Sequence, residues 1–229
     1  MDEAETTFTV NGRKDPMTRI ILVRHGETDW NKEQIFRGRI DVPLNSTGLK
    51  QAKATGEALM DLKIDAVYSS PLSRALDTAK AIAELHPSTS VKEAEGFTDI
   101  DFGKWQGMPH ERVKEEYKPL YNRWQEEPHN VIMPDGESLE DIKVRAMKAL
   151  DEILHTHIDD SIVIASHRVV NKVILCAVLG LTNRHFWCIR QDTCAINIFD
   201  NSEKGFIISL INDTCHLKML VRDASNADF

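Results

Sequence analysis

Arg19-Ile20-Ile21-Leu22-Val23-Arg24-His25-Gly26-Glu27-Thr28 joins a short apolar, β-branched run to an abrupt Arg-His-Gly turn. The run is long enough for one buried strand, and its end delivers a guanidinium and an imidazole where the backbone changes direction. In an open α/β sheet ligands collect at the carboxyl ends of strands, because the loops there diverge into a crevice. His25 is therefore a placed histidine.

Downstream, residues 30–43 read as a loop, and Asn45-Ser46-Thr47-Gly48 supplies N-cap candidates for a helix whose apolar positions include Leu49, Ala52, Ala58, Leu59 and Leu62. Residues 65–70 read as a second strand, closed by Pro71, and residues 74–85 as the next helix. Strand, helix, strand, helix is the signature of parallel βαβ winding. A third strand is expected near residues 91–95. Residues 102–134 break the rhythm with Trp105, Trp124 and a mixed-charge stretch, and are expected to form a small helical excursion that serves as a lid. Ser138 and Asp141 form a capping-box pattern that opens an amphipathic helix to about residue 154.

Residues 161–165 form the other clear buried strand, and this one too ends in a histidine, His167. A helix over 169–179 is stopped by Gly180. Two last apolar runs, 195–199 and 206–211, flank a polar turn and are expected to pair as a hairpin at a sheet edge. The predicted fold class is α/β: three layers, α/β/α, with a mostly parallel central sheet, an antiparallel edge strand and the lid excursion. Residues 1–16 lack a hydrophobic period and read as an extension. The folded domain is expected over 17–215, with 216–229 as a tail.

The chain has 229 residues, of which 41% are hydrophobic and 28% charged, enough for one full core. Its net charge of −8 argues against nucleic acid or an anionic membrane as partner, so any anion site must be a local basic pocket. Cys176, Cys188, Cys194 and Cys215 form no CxxC pair and are expected as reduced thiols in a cytoplasm. No apolar run approaches the roughly 20 residues of a bilayer span, and the N-terminus lacks a signal pattern. His155 and His157 have a metal-like spacing but flank a helix end, so no metal site is expected. Trp105, Trp124 and Trp187 read as packing residues.

Parallel strands share one carboxyl edge, so Arg24, His25, Arg74 and His167 are predicted to converge in one crevice. Two guanidiniums and two imidazoles describe an oxyanion site. The planar guanidinium fork matches phosphate oxygens bidentately, which an ammonium does less well.

Arg24-His25-Gly26-Glu27-Thr28-Asp29-Trp30-Asn31 resembles the opening motif of the histidine phosphatase superfamily, in its phosphoglycerate-mutase-like branch. Asp41-Val42-Pro43-Leu44, Ser69-Ser70-Pro71-Leu72-Ser73-Arg74-Ala75 with Thr78-Ala79, Phe102-Gly103-Lys104-Trp105-Gln106-Gly107, Gly136-Glu137-Ser138 and Ser166-His167 match further blocks in the family's order. The segment Trp124-Gln125-Glu126-Glu127-Pro128-His129 followed by Gly136-Glu137-Ser138 is similar to the metal-independent phosphoserine phosphatases and α-ribazole phosphatases.

The resemblance implies a phosphomonoester hydrolase acting on a small phosphorylated metabolite, with no cofactor and no metal. His25 would be the nucleophile that carries phosphorus as phosphohistidine. Arg24, Arg74 and His167 would hold the non-bridging oxygens, with Asn31 and Thr28 as further donors. The family's proton donor is usually a Glu four residues before the Gly of the Phe-Gly block, and here that place holds Asp99, shorter by about 1.5 Å. Asp101 and Glu137 are alternative carboxylates. Arg37, beside Gly38, and Arg168 depart from the family pattern and would meet a second anionic group or make surface ion pairs. Gly38 and Glu137 join the expected substrate-facing set. A 2,3-bisphosphoglycerate-dependent phosphoglycerate mutase and a phosphate-binding scaffold are the alternative readings. The hairpin edge suggests a homodimer.

Overall fold

The computed structural model describes residues 17–218. The expected extension over 1–16 and the tail beyond 218 lie outside the described residues. In chain order the elements are β1 (Thr18–Arg24), α1 (Asp29–Lys32), α2 (Ser46–Leu59), β2 (Ala66–Ser69), α3 (Ser73–Ala83), β3 (Val91–Glu93), α4 (His110–Glu116), α5 (Lys118–Glu126), α6 (Leu139–Thr156), β4 (Ser161–Ser166), α7 (Arg168–Val178), β5 (Ile196–Ser202) and β6 (Gly205–Asp213). The strands form one sheet in the order β3-β2-β4-β1-β5-β6. β3, β2, β4 and β1 run parallel, and β5 and β6 continue the sheet antiparallel beyond β1. The expected α/β class is the one observed. The antiparallel part is a pair of strands, of which β6 alone forms the edge.

Strand periodicity explains the two cores. Successive side chains alternate faces, so Ile20 and Leu22 join Ile162 and Ile164 in one cluster, while Ile21 and Val23 join Val163 and Ala165 in another. The first cluster takes in α6 and α7 through Ile142, Leu150, Val170 and Ile174. The second takes in α2 and α3 through Leu59, Ala79 and Ile82. With Ile20, Ile21, Leu22 and Val23 all at 0% exposure, β1 is buried on both faces. Each such side chain contributes about 1.5–3 kcal/mol by leaving water.

Caps fix the helix starts that frame the site. The Asn45 side chain accepts from the Gly48 N–H to open α2, and Ser138 and Asp141 form the expected capping box of α6. The start of α3 is capped from a distance, as the Ser73 N–H and hydroxyl both donate to Asp41 Oδ1. α7 ends before Gly180, whose φ of +71° suits a residue without a β-carbon.

Two local readings differ from expectation. The loop after β1 contains the short helix α1, because Asn31 Oδ1 accepts from both the N–H and the hydroxyl of Thr28 and closes a local box. The 102–134 excursion is helical through α4 and α5, but Trp105 and Trp124 are buried in the main core cluster, so it is packed architecture as well as a cover. Among the described residues no helix is long and apolar enough to cross a membrane.

Candidate active site

The register of β1 against β4 sets the centre of the site. Arg24 lies opposite Ser166, so His25 and His167 leave neighbouring parallel strands side by side, and the His25 N–H donates to the Ser166 carbonyl at 2.9 Å. Their ring centroids are 5.2 Å apart, and both residues are 0% exposed. Gly26 permits the turn: a β-carbon there would lie 2.6 Å from the Gly48 carbonyl oxygen at the start of α2.

Arg24 Nη1 donates to the Gln191 carbonyl at 2.7 Å. The Gln191 and Asn197 side chains exchange hydrogen bonds, and Asn197 Nδ2 donates to the Leu22 carbonyl, so this anchor is tied back to β1. Arg74, in the first turn of α3, is fully buried and donates to the Ile40 carbonyl (3.0 Å), the Gly38 carbonyl (2.7 Å) and Asp99 Oδ2 (3.1 Å). Gly38 thus serves Arg74 through its carbonyl. At φ +56° a β-carbon would also lie 2.8 Å from the Ile100 carbonyl, so a side chain here is excluded twice.

Asp99 is 6% exposed. Its Oδ1 accepts from the Ile100 N–H, and its Oδ2 sits between Arg74 Nη2 at 3.1 Å and His167 Nδ1 at 3.6 Å. Arg145 of α6 holds this loop by donating to the carbonyls of Gly96, Thr98 and Asp99. The same guanidinium forks onto Glu137, which also accepts from Arg39 and from the Asp101 N–H. Glu137 was expected to face substrate; instead both of its oxygens are committed to this buttress. Asp101 Oδ1 caps the Gly103 N–H.

The protonation of His25 follows from its partner. Its Nδ1 lies 2.6 Å from the Gly26 carbonyl, which can only accept, so Nδ1 carries the hydrogen and Nε2 keeps a lone pair. Nε2 is buried with no protein hydrogen-bond partner among the described residues. Burial, then the charges of Arg74, His167, Arg24 and Arg37, hold the His25 pKa well below the ordinary 6.5. Burial and the cations of Arg74, Arg37, Arg145 and Arg24 do the same to His167.

These two rings make stability depend on pH. Folded, both stay neutral while the unfolded chain's histidines protonate, so unfolding takes up protons below about pH 6.5. Stability is fully present above that pH and falls as the medium acidifies, by up to about 1.4 kcal/mol per pH unit for each ring. Denaturant midpoints measured from about pH 7 down to 5 should fall more steeply for the native protein than for a His25→Gln, His167→Gln double variant. Parallel profiles would contradict this.

Beside Asp99 a crevice is walled by Trp30, Phe36, Arg37, Phe102, His110 and Arg168. His110 stacks on Phe36 at 4.0 Å, and the Arg168 guanidinium lies 5.9 Å over the Trp187 ring. Arg37 and Arg168 both line this crevice. Lys172, one turn further along α7, sits over the Phe186 and Trp187 rings, and burial pulls its pKa down to about 7. His155 and His157 face different partners, Asp151 and Asp160. Among the described residues no three His, Cys, Asp or Glu side chains are grouped to hold a metal ion.

Sequence reasoning passed over several residues of this site. Ser70, whose hydroxyl is 2.7 Å from His167 Nε2, lay in a recognised block but was given no part. Thr78 bridges the Gly26 N–H to α3, and Arg145, Gln191 and Asn197 act through contacts with no local signal.

The model of the histidine phosphatase superfamily (branch 1) matches residues 20–214. Phosphoserine phosphatase 1 of Hydrogenobacter thermophilus is 36% identical over 211 residues, covering 92% of this chain and all of the relative. The metal-independent phosphoserine phosphatase of Arabidopsis thaliana is 30% identical, over 88% of this chain and 84% of its own. Among solved structures, YhfR of Bacillus stearothermophilus superposes with a TM-score of 0.84 at 27% identity, over 88% of this chain and all of that one.

Proposed function

The chain belongs to the histidine phosphatase superfamily, branch 1, and from that premise we propose that it hydrolyses small phosphomonoesters through a phosphohistidine on His25. The observation that carries this reading is the buried, bare Nε2 of His25, set among Arg24, Arg74 and His167.

In the first step Nε2 attacks phosphorus in line, forming the N–P bond as the bond to the substrate alcohol breaks. Arg24, Arg74 and the His167 Nδ1–H take the non-bridging oxygens, and Asn31, whose Oδ1 is committed to Thr28, adds donors from its amide nitrogen. Asp99 gives its proton to the departing alkoxide. Water then attacks phosphorus, Asp99 takes back a proton, and cleavage of the N–P bond releases inorganic phosphate and restores His25. Asp99→Asn should therefore slow hydrolysis of alkyl phosphates by about 10²–10⁴-fold, while nitrophenyl phosphate, whose leaving group needs no proton, loses far less. Equal losses would hand the task to Asp101.

Arg37 and Arg168 on the crevice wall suit a second anionic group. Two relatives are named as phosphoserine phosphatases, and we assign this chain the same substrate class, a small phosphorylated hydroxy acid. Phosphate release should be strongest on such esters in a panel that also holds sugar phosphates and nucleotides, and should survive a chelator. No release from any member, or full loss with EDTA, refutes the reading.

Residues 17–215 act in this proposal as one catalytic domain. The four cysteines, all free, suit a cytoplasmic setting. The exposed Ile207 on β6 suits a homodimer formed at that edge.

A further inference from the structure

His25 and His167 carry their protons on the same kind of nitrogen yet would present opposite chemistry to a phosphate. His25 must offer a lone pair and His167 an N–H, and both rings are held neutral by burial and by surrounding cations. For a neutral imidazole, donor or acceptor behaviour is a matter of tautomer, which is set by whatever bonds the other nitrogen. For His25 that partner is the Gly26 carbonyl. For His167 it is Ser70.

The Ser70 hydroxyl has one hydrogen and two neighbours. One is the Leu72 N–H, 3.3 Å away, which can only donate to it. The other is His167 Nε2, at 2.7 Å. One of its two lone pairs takes the Leu72 N–H, and Nε2 is the one acceptor within reach of the hydroxyl proton among the described residues, so a ring protonated on Nε2 would leave that buried proton without a partner. His167 must then hold its own proton on Nδ1. That atom is buried, lacks a partner within hydrogen-bond distance among the described residues, and lies 3.6 Å from Asp99 Oδ2. The backbone of Ser70 is held in place. The residue is 0% exposed, and its N–H donates to the Ala165 carbonyl on β4, the strand that delivers His167.

We propose that Ser70 is a positioning residue: it donates its hydroxyl proton to His167 Nε2, fixes the ring's hydrogen on Nδ1, and so makes a neutral histidine a hydrogen-bond donor to the phosphoryl group. The inference rests on the phosphatase reading given above. Without the hydroxyl, the ring can place its proton on Nε2 and turn a lone pair toward the phosphoryl oxygens, which repels the charge that builds there.

The test joins long-range ¹H–¹⁵N spectra of the histidine rings to steady-state kinetics. The native protein should show His167 protonated on Nδ1 and bare on Nε2. Ser70→Ala should move that proton wholly or partly to Nε2 and lower kcat by about 10–100-fold, the scale of outer-shell partners, with a smaller change in KM. Ser70→Thr, which keeps the hydroxyl, should restore most of both. A native spectrum with Nε2 protonated overturns the proposal, and needs no variant that must fold. So does a folded Ser70→Ala that keeps the native tautomer whatever its turnover, or one that changes tautomer at full kcat, or a folded Ser70→Thr that restores neither. A native protein that releases no phosphate refutes the phosphatase reading instead, and leaves the tautomer assignment standing on its own spectrum.

Discussion

Replacing His25 with alanine should lower phosphate release by at least about 10⁴-fold, the scale on which loss of a covalent nucleophile is felt, and should leave no phosphoprotein to trap. Quenching the native enzyme soon after mixing with labelled substrate should capture label that acid removes and base does not, as expected of phosphorus on nitrogen, and it should map to His25. The size of the effect follows from geometry. The Gly26 carbonyl fixes the ring hydrogen on Nδ1, so Nε2 is the only bare nitrogen of that ring, and burial among cations keeps it bare at neutral and mildly acidic pH. Water recruited into an alanine variant would lack both that nucleophile and its alignment with the donors. Residual turnover near the native rate, or label on His167, would break the account at its centre.

Arg74→Lys keeps the charge and should still be severe, with kcat down by about 10²–10³-fold, as when a transition-state donor is lost. One guanidinium here does several jobs at once. It reaches the Ile40 and Gly38 carbonyls and Asp99 Oδ2 from a fixed planar fork. A lysine ammonium is a single point with no such span. The buried Gly38 carbonyl would be left unsatisfied, so stability should fall as well, by about 1–3 kcal/mol. Denaturant midpoints and turnover measured on one preparation check both halves. A lysine variant with native midpoint and native kcat would show that the fork is not used.

Those two residues were legible because each sits where a strand or its following turn delivers it. The apolar runs of β1 and β4 announce buried parallel strands, and parallel strands end on one side, so the sequence pairs His25 with His167. Arg24 and Arg74 followed from the same edge. The supports were not legible. Arg145 clamps the Asp99 loop through three carbonyls, and Gln191 with Asn197 anchors Arg24, yet each of these contacts joins segments far apart in the chain. Glu137 shows the limit from the other side. Its Gly-Glu-Ser block pointed to the site, but which neighbour a carboxylate meets is decided by packing, and here Arg145 and Arg39 take it. The same holds for α1, a helix that exists because one asparagine folds back on one threonine.

The in-register match of β1 with β4 also bears on how this protein comes alive. Neither imidazole has a counterpart until two strands far apart in the sequence, β1 and β4, lie flush, and a slip of one position would turn every side chain of a strand to the wrong face. Contacts of such long range form late, after helices and local turns. Recovery of turnover in a refolding experiment should consequently trail the recovery of helical signal, which makes the enzyme's own activity a clock for completion of its sheet.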